Sequence, residues 1–350
     1  MTPRICFTTR LALGQAGGVE SAVAEIVPRV RALRGGWDVR AVHAFRSPGR
    51  INRIPLFGDL YAALRLALRA RGSDVVVVNG AEYAWPFVLS ARGRRRTLVV
   101  WHGTRGAEIA ALAPRMSLAL WAYRVAEVWL QRAALVARTQ VAVSDSTADE
   151  VRTLYGSRHA IDIVTNGAPA VESDRSHDPE ANPLCIAWIG TNAYKKGLDL
   201  AVAAVEHARR HASGLRLVVI GIDDRKRPVP PWLRYLGRVS PGDARRWLSS
   251  SAALLATSRY EGCSVAVLEA LSLGVPVVAG PNLGWMIGSG GIATGAYSVD
   301  AFARALVSLV TDTGALRSMS GEARQRAKHF DWNLAAAAYV RLIEQRCAAD

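Results

Sequence analysis

Two glutamates, Glu261 and Glu269, flank a segment that follows a predicted strand and opens a predicted helix, with seven residues between them. Eight steps of helix at about 1.5 Å each span on the order of 12 Å, about the separation of a ribose and a hexose across a diphosphate. The helix start presents unpaired backbone N–H groups, which bind anions, and Gly262 allows a ligand close to the backbone. The segment can therefore hold a sugar, a diphosphate and a ribose in order. From two glutamates alone, a strand–turn–helix with solvated acids is the favoured interpretation.

Lys196 is a second residue placed to act on charge, because the segment Ile189–Gly197 lies between a predicted strand and a predicted helix. A lysine at such a turn can offset the negative charge of a leaving diphosphate. A solvated lysine at the start of a helix is the alternative.

In the first half of the chain, polar or flexible residues follow two predicted strands. Gly17 and Gly18 lie between the first strand and a helix, where a plain tight turn is the alternative interpretation. His102 follows the strand that ends at Trp101, and ligands of α/β sheets bind at the carboxyl ends of strands. A hydrogen-bonded structural histidine is the alternative for His102.

These residues are positioned by an alternation of short apolar runs and amphipathic stretches, which predicts parallel sheets with crossover helices. Residues 169–182 are polar, contain two prolines and lack apolar periodicity, so they indicate a linker. The sequence therefore predicts two α/β domains with a binding cleft between them. Strands are predicted at 5–8, 39–43, 75–79, 98–101, 140–143, 162–165, 185–189, 215–221, 232–237, 253–257 and 275–279. Helices are predicted at 19–33, 60–71, 116–137, 198–210, 241–250, 265–273, 299–312 and 333–347.

Residues 258–279 resemble the E-x7-E element of the retaining glycosyltransferases of family four, which have the GT-B fold of two facing Rossmann-like domains. The resemblance includes Glu-Gly after a small-residue strand end, Leu-Glu-Ala and Gly-Val-Pro-Val-Val. It implies that Glu269 binds the ribose hydroxyls and that Glu261 faces the donor sugar. It also implies that the N–H groups of Gly262, Cys263 and Ser264 lie near sugar and phosphate. Cys263 stands where the family often has an aromatic residue.

Other landmarks extend this resemblance over nearly the whole chain. The segment 190–197 is similar to the family pattern Gly-Arg-x4-Lys-Gly, which assigns Lys196 to the diphosphate and places Thr191 at the arginine position. Lys195 and the basic run 225–227 are the candidates for supplying the missing cation. Further matches are Gly17 and Gly18 for the donor phosphates and the acceptor, His102 for the donor sugar, Ser144, and Phe330-Asp-Trp332. Asn166-Gly167 also matches, although its sequence mainly indicates a turn. Ser144 also suits a helix cap.

The resemblance implies domains at 1–168 for the acceptor and 183–332 for the donor, with a helix over 333–350 crossing back to the first domain. It implies sugar transfer from a nucleoside diphosphate sugar to an acceptor hydroxyl, with retention and without a metal, a cofactor or a firmly identified protein nucleophile. We expect a place in bacterial cell-surface polysaccharide, lipopolysaccharide or glycolipid assembly. A GT-B epimerase or phosphorylase, or a non-catalytic sugar-nucleotide-binding partner, remains the alternative.

The net charge of +15 is distributed unevenly. Residues 1–168 carry 23 arginines, no lysine and 12 acids, for a net charge of +11, whereas residues 169–350 carry +4. A basic face attracts nucleic acid or anionic lipid headgroups. The excess of arginine over lysine also fits a bias in nucleotide composition, but that bias leaves the asymmetry unexplained. None of the familiar nucleic-acid-binding motifs is present, so we expect no nucleic acid partner.

Basic and aromatic residues in the first half suit an enzyme that meets an anionic membrane surface and a lipid-linked or polysaccharide acceptor. Solvated helix faces and core aromatics are the alternative explanation. The residues concerned are the stretch 56–71, the cluster Arg92, Arg94, Arg95 and Arg96, and Trp121, Tyr123 and Trp129.

The sequence contains no apolar run of about 18 or more residues and no secretory signal pattern. Its four cysteines are widely separated, which argues against a disulfide framework or a zinc site. We therefore expect a cytoplasmic location, with peripheral association at the inner face of the cytoplasmic membrane.

Overall fold

The computed structural model describes residues 2–13, 17–46, 56–169, 182, 184–224 and 228–348. The chain divides into two units, Met1–Gly167 with Trp332–Asp350, and Ala168–Asp331. Most of the predicted linker 169–182 and the whole basic run 225–227 lie outside the described residues.

The first unit is built on a six-stranded parallel sheet. Its strands are β1 (Arg4–Leu11), β2 (Asp38–Phe45), β3 (Val75–Asn79), β4 (Thr97–Trp101), β5 (Thr139–Ala142) and β6 (Ile161–Ile163). Their order in the sheet is β2-β1-β3-β4-β5-β6. The central strands β3 and β4 are valine-rich and buried along their whole length, as expected for parallel strands covered on both faces.

Helices connect these strands, and a side chain caps the last of them. The helices are α1 (Gly18–Leu33), α2 (Phe57–Arg69), α3 (Ala91–Arg96), α4 (Arg105–Leu112), α5 (Leu118–Ala133) and α6 (Asp145–Tyr155). The Ser144 hydroxyl accepts a hydrogen bond from the Thr147 N–H at 3.2 Å, so the interpretation of Ser144 as a helix cap is confirmed.

The second unit also has a six-stranded parallel sheet. Its strands are β7 (Cys185–Ile189), β8 (Arg216–Ile220), β9 (Leu233–Gly237), β10 (Ala253–Ala256), β11 (Val277–Ala279) and β12 (Gly291–Ala293), in the order β12-β11-β10-β7-β8-β9. Its helices are α7 (Leu198–Ala208), α8 (Pro241–Ser249), α9 (Val265–Leu273), α10 (Gly284–Ile287), α11 (Val299–Thr311) and α12 (Thr313–Ala327).

The last helix, α13 (Trp332–Cys347), belongs to the first unit and packs against α1. The edge of the Tyr339 ring meets Phe7 of β1 at a centroid distance of 5.8 Å. A Cβ atom at Gly167 would lie 2.5 Å from the backbone nitrogen of Trp332, so the start of α13 requires glycine there. None of the helices in the described part of the chain is both long and apolar enough to cross a membrane.

Candidate active site

In the second unit, the two strongest sequence candidates form an ion pair. The Lys196 ammonium contacts Oε1 of Glu261, and their side chains are 23% and 12% exposed. Lys196 follows β7 and Glu261 follows β10, and these neighbouring parallel strands end at the same sheet edge. Glu261 Oε1 is shielded from solvent and the lysine contacts it without hydrogen-bond alignment. A ligand that offers better hydrogen bonds can therefore compete for both side chains.

The turn that carries Lys196 is fastened to the end of β10. The Thr257 hydroxyl lies 3.0 Å from the Lys196 carbonyl oxygen and 2.8 Å from that of Gly197, and can donate to either. The Trp188 indole N–H approaches the same Lys196 oxygen at 3.3 Å. Gly197 has a φ of +70°, and a Cβ there would lie 2.1 Å from the Thr257 carbonyl oxygen. The fold therefore fixes the backbone at Lys196 relative to the strand that leads to Glu261.

Thr191, at the arginine position of the family pattern, is exposed, and two cations of the same unit, Lys195 and Arg259, have partners of their own. Lys195 lies over the Tyr260 ring, with its Nζ 5.2 Å from the centroid. Arg259 binds both carboxylate oxygens of Asp199 at 2.9 Å. Lys195 is thus engaged at an aromatic face and the other predicted substitute, the run 225–227, lies outside the described residues.

Helix α9 begins beside this ion pair. Its N-cap residue Ser264 makes no side-chain cap, and the Ser264 N–H donates to the Met286 sulfur at 3.4 Å, a weak acceptor. Cys263 and Gly262 are buried next to it. A small cleft at this helix start is lined by Trp188, Ile189, Lys196, Ser258, Ser264 and Ala266, among others.

Glu269 lies half-buried on α9, and burial raises the pKa of its carboxyl. The nearby Arg245 of α8 acts in the opposite direction and lowers that pKa. Arg245 was not predicted from the sequence, since an arginine on an amphipathic helix gives no signal of which neighbour it faces.

In the first unit, His102 follows β4 and lies beside the last residue of β3. Its Nε2 is 3.0 Å from Oδ1 of Asn79. Burial lowers the pKa of His102 to about 4, so its imidazole is neutral at pH 7. Nδ2 of Asn79 is buried and has no hydrogen-bond partner among the described residues. Asn79 was missed in the sequence, although a polar residue closing an apolar strand was the available signal.

The predicted glycine loop carries a carboxylate of its own. Glu20 of α1 accepts a hydrogen bond from the Leu11 N–H at 3.1 Å, and burial raises the pKa of this carboxyl. A Cβ atom on Gly17 would lie 2.2 Å from the Glu20 carboxylate, so a larger residue at 17 would require the Glu20 side chain to move. Gly18 is the first residue of α1.

A network of buried charges lies between α4, α5 and the short 3-10 turn Ala81–Tyr83. The Arg105 guanidinium contacts Glu82 at 3.0 Å, Glu108 at 2.5 Å and Glu127 at 3.1 Å. Arg124 binds Glu127 at 2.6 Å. All three carboxylates are buried. Arg105 holds the pKa of Glu82 below its usual range, whereas burial raises the pKa of Glu127.

Tyr123 also faces inward, which corrects its predicted place on a membrane-facing surface. Its hydroxyl donates to Oδ2 of the buried Asp59 at 2.5 Å, and Arg10 binds Oδ1 of the same carboxylate at 2.7 Å. Tyr123 faces inward because the buried carboxylate of Asp59 needs hydrogen-bond partners, and this requirement outweighs the preference of an aromatic ring for a membrane surface.

The opposite face of α5 is apolar and exposed. Leu118, Trp121 and Trp129 are 80%, 45% and 66% exposed, whereas the buried residues of this helix are Glu127 and Gln131. This reverses the usual arrangement of a helix on a soluble domain. The Arg132 guanidinium lies over the Trp129 ring at 5.2 Å from its centroid.

Comparison with solved structures defines the class of fold. Sucrose-phosphate synthase from Thermosynechococcus elongatus superposes with a TM-score of 0.78 at 15% identity, covering 99% of this chain and 100% of that one. Anabaena HepE, solved in complex with UDP and glucose, gives a TM-score of 0.69 at 13% identity, covering 98% and 100%. The predicted GT-B fold is confirmed.

Sequence comparison defines the family. The model described as "Glycosyltransferase Family 4" matches residues 16–170, and the model "Glycosyl transferases group 1" matches residues 183–312. The chain belongs to the family-four glycosyltransferases, as its motifs predicted. The glycogen synthase of Mycobacterium tuberculosis is 29% identical over 229 residues, which are 61% of this chain and 54% of that protein. The chain thus spans about half the length of the curated relatives it matches.

Proposed function

We propose that this chain transfers a sugar from a nucleoside diphosphate sugar to an acceptor hydroxyl, with retention of the anomeric configuration. The observation that carries the proposal is the Lys196–Glu261 ion pair at the carboxyl edge of the second sheet, beside the uncapped start of α9. The presence of UDP and glucose in the structure of the neighbour HepE supports the same donor chemistry.

In this proposal, donor binding exchanges the partners of the ion pair. Phosphate oxygens take the ammonium of Lys196, which offsets the charge that develops on the leaving diphosphate. Glu261 then accepts hydrogen bonds from hydroxyls of the transferred sugar. The N–H groups of Gly262, Cys263 and Ser264 face the phosphate, and that of Ser264 exchanges a weak sulfur acceptor for a charged oxygen. Glu269 accepts the ribose hydroxyls.

We further propose that residues 183–332 bind the donor and residues 1–168 the acceptor, with the helix over 333–350 bracing the first domain. Gly17 and Gly18 border the donor phosphates, and His102 donates or accepts a hydrogen bond at the donor sugar as a neutral imidazole. The proposed setting is the assembly of cell-surface polysaccharide, lipopolysaccharide or glycolipid at the inner face of the cytoplasmic membrane.

A panel of UDP-, GDP-, ADP- and dTDP-sugars, screened by thermal shift and then by transfer to candidate acceptors, tests this function. We expect one nucleotide to raise the Tm, and NMR of the product to show the donor's anomeric configuration. An inverted product rules out retention. Epimerised donor without transfer favours the epimerase alternative, sugar phosphate release to inorganic phosphate favours the phosphorylase, and binding without turnover favours a non-catalytic partner.

A second proposal concerns the apolar face of α5, which we assign to an anionic bilayer. The face combines leucine and tryptophan with Arg132, in a half of the chain that carries a net charge of +11. Aromatic and basic side chains on one helix face suit the headgroup boundary of a membrane. Because the polar side of α5 is held inside by ion pairs, the apolar side stays directed outward.

We expect the W121S/W129S variant to lose on the order of tenfold of its binding to phosphatidylglycerol-containing vesicles in flotation assays. Wild-type binding should weaken at high salt, because the headgroup attraction is screened. The control is L154S, which removes an apolar residue as exposed as Trp121 from α6 of the same unit and should bind like the wild type. Equal flotation of all three proteins, or none by the wild type, would remove α5 from the membrane proposal.

A further inference from the structure

Helix α8 carries two adjacent arginines with different surroundings. Arg246 is exposed and forms an ion pair with Asp243 one turn earlier on the same helix. Arg245 is half-buried, and its Nε is shielded from solvent without a hydrogen-bond partner among the residues described. A buried guanidinium N–H with no acceptor costs free energy unless a ligand supplies one.

The two arginines point to different sides because successive helix residues are rotated by about 100°. Helix α8 packs against α9, and Arg245 is the residue of α8 whose charge acts on Glu269. Three further elements that pack against α9, namely β10, β11 and α10, contain no ionisable side chain. On α12, Arg324 packs against Gly274 at the C-terminal end of α9.

We propose that Arg245 is a further donor-binding residue that recognises the ribose diol together with Glu269. This inference deepens the proposed function, because it rests on Glu269 as the ribose-binding carboxylate. A ribose hydroxyl both donates and accepts hydrogen bonds. A carboxylate can therefore accept a hydrogen bond from it while a guanidinium N–H donates one to its oxygen. The pair supplies one acceptor and one donor, which discriminates a ribonucleotide from a deoxyribonucleotide.

Arg245 also keeps Glu269 in the state that binds. The carboxylate must be ionised to accept hydroxyl protons, and its burial opposes ionisation. Nucleotide affinity should therefore fall as the pH decreases through the raised pKa of Glu269. Removing Arg245 takes away the influence that lowers this pKa, so the midpoint of the fall moves to higher pH.

The test compares R245M with R246M, which removes the exposed neighbour from the same helix. The probe is whichever of UDP, GDP and ADP binds the wild type, together with its 2′-deoxy counterpart, measured by calorimetry between pH 4.5 and 8. We expect R245M to bind the ribonucleotide about tenfold more weakly, to discriminate less against the deoxynucleotide and to show the higher pH midpoint. R246M should match the wild type, and R245K should recover the pH midpoint, because it restores the charge.

If R245M retains the nucleotide affinity, the discrimination against the deoxynucleotide and the pH midpoint of the wild type, the inference is overturned and the proposed function stays intact. The same loss in R245M and R246M also overturns it, since the effect would then be one of helix stability. If the wild type binds dTDP but none of the three ribonucleotides, the inference fails and the proposed function stands. If it binds none of these four nucleotides, both fail together.

Discussion

Replacing Glu261 with glutamine is expected to lower kcat/KM for sugar transfer by on the order of a hundredfold, while UDP or another cognate nucleoside diphosphate binds as well as to the wild type or more tightly. The two effects separate because Glu261 occupies the Lys196 ammonium when no donor is bound. The amide leaves that ammonium free for phosphate but accepts sugar hydroxyls more weakly than a carboxylate. Transfer kinetics and nucleotide calorimetry on the same preparation measure both effects.

Substitution of Lys196, the ion-pair partner of Glu261, should weaken nucleotide binding, which E261Q is expected to leave unchanged or strengthen. K196M removes the cation for the diphosphate, so nucleotide affinity should drop by about tenfold together with transfer. The control is E206Q, which neutralises an exposed glutamate on α7 of the same unit and should change neither quantity. Normal transfer by E261Q, or undiminished nucleotide binding by K196M, would contradict the proposed roles of the pair.

Lys196 and Glu261 were each predictable from the sequence because strand ends and helix starts are local features. The apolar runs of β7 and β10 and the glycine at 197 place Lys196 and Glu261 at one sheet edge, whatever the rest of the chain does. Short or weakly patterned elements escaped prediction. Strand β12 has only three residues, Gly-Ile-Ala, and is defined by its pairing with β11. Helices α3, α4, α10 and α12 were also not predicted, and of α6 only the start at Ser144 was.

The interior of the first unit was not predictable, because its order depends on contacts between distant residues. Glu82, Arg105 and Glu127 meet across three separate elements, and each alone has the sequence signature of a surface charge. The same limitation misplaced Tyr123. The two faces of α5 were therefore assigned only by the structure, which shows charges inside and tryptophans outside.

Replacing Arg105 with methionine should be the most destabilising single change in this interior. It removes the guanidinium that contacts the buried carboxylates of Glu82, Glu108 and Glu127, and Arg124 remains beside Glu108 and Glu127. Removing one partner from a buried charge network costs about 3–5 kcal/mol, because the remaining charges stay desolvated. Hydrogen exchange of peptides from β3, β4 and α5, read by mass spectrometry, measures the effect within this unit.

The exposed pair Arg152–Asp149 on α6 provides the control, because its side chains are 47% and 69% exposed. R152M should change exchange protection by less than about 1 kcal/mol. The triple variant R105M/E82Q/E127Q neutralises two of the buried carboxylates that lose their guanidinium partner. It should restore part of the lost exchange protection. If these peptides show the same hydrogen-exchange protection in R105M and in R152M, the network does not stabilise the unit.

The pH dependence of the R105M defect follows from Glu82. Arg105 lowers the pKa of Glu82, so in the wild type this carboxylate contributes stability above its unfolded-state pKa, and that contribution is lost as the pH falls through the lower folded-state value. R105M lacks this contribution at neutral pH. In R105M, the buried carboxylates that have lost Arg105 can take up protons in mild acid, which removes their unpaired charge. The stability difference between wild type and R105M should therefore be largest near pH 7 and narrow toward pH 4. A difference that stays constant over this range would mean that lost packing of the arginine stem, rather than unpaired charge, causes the defect.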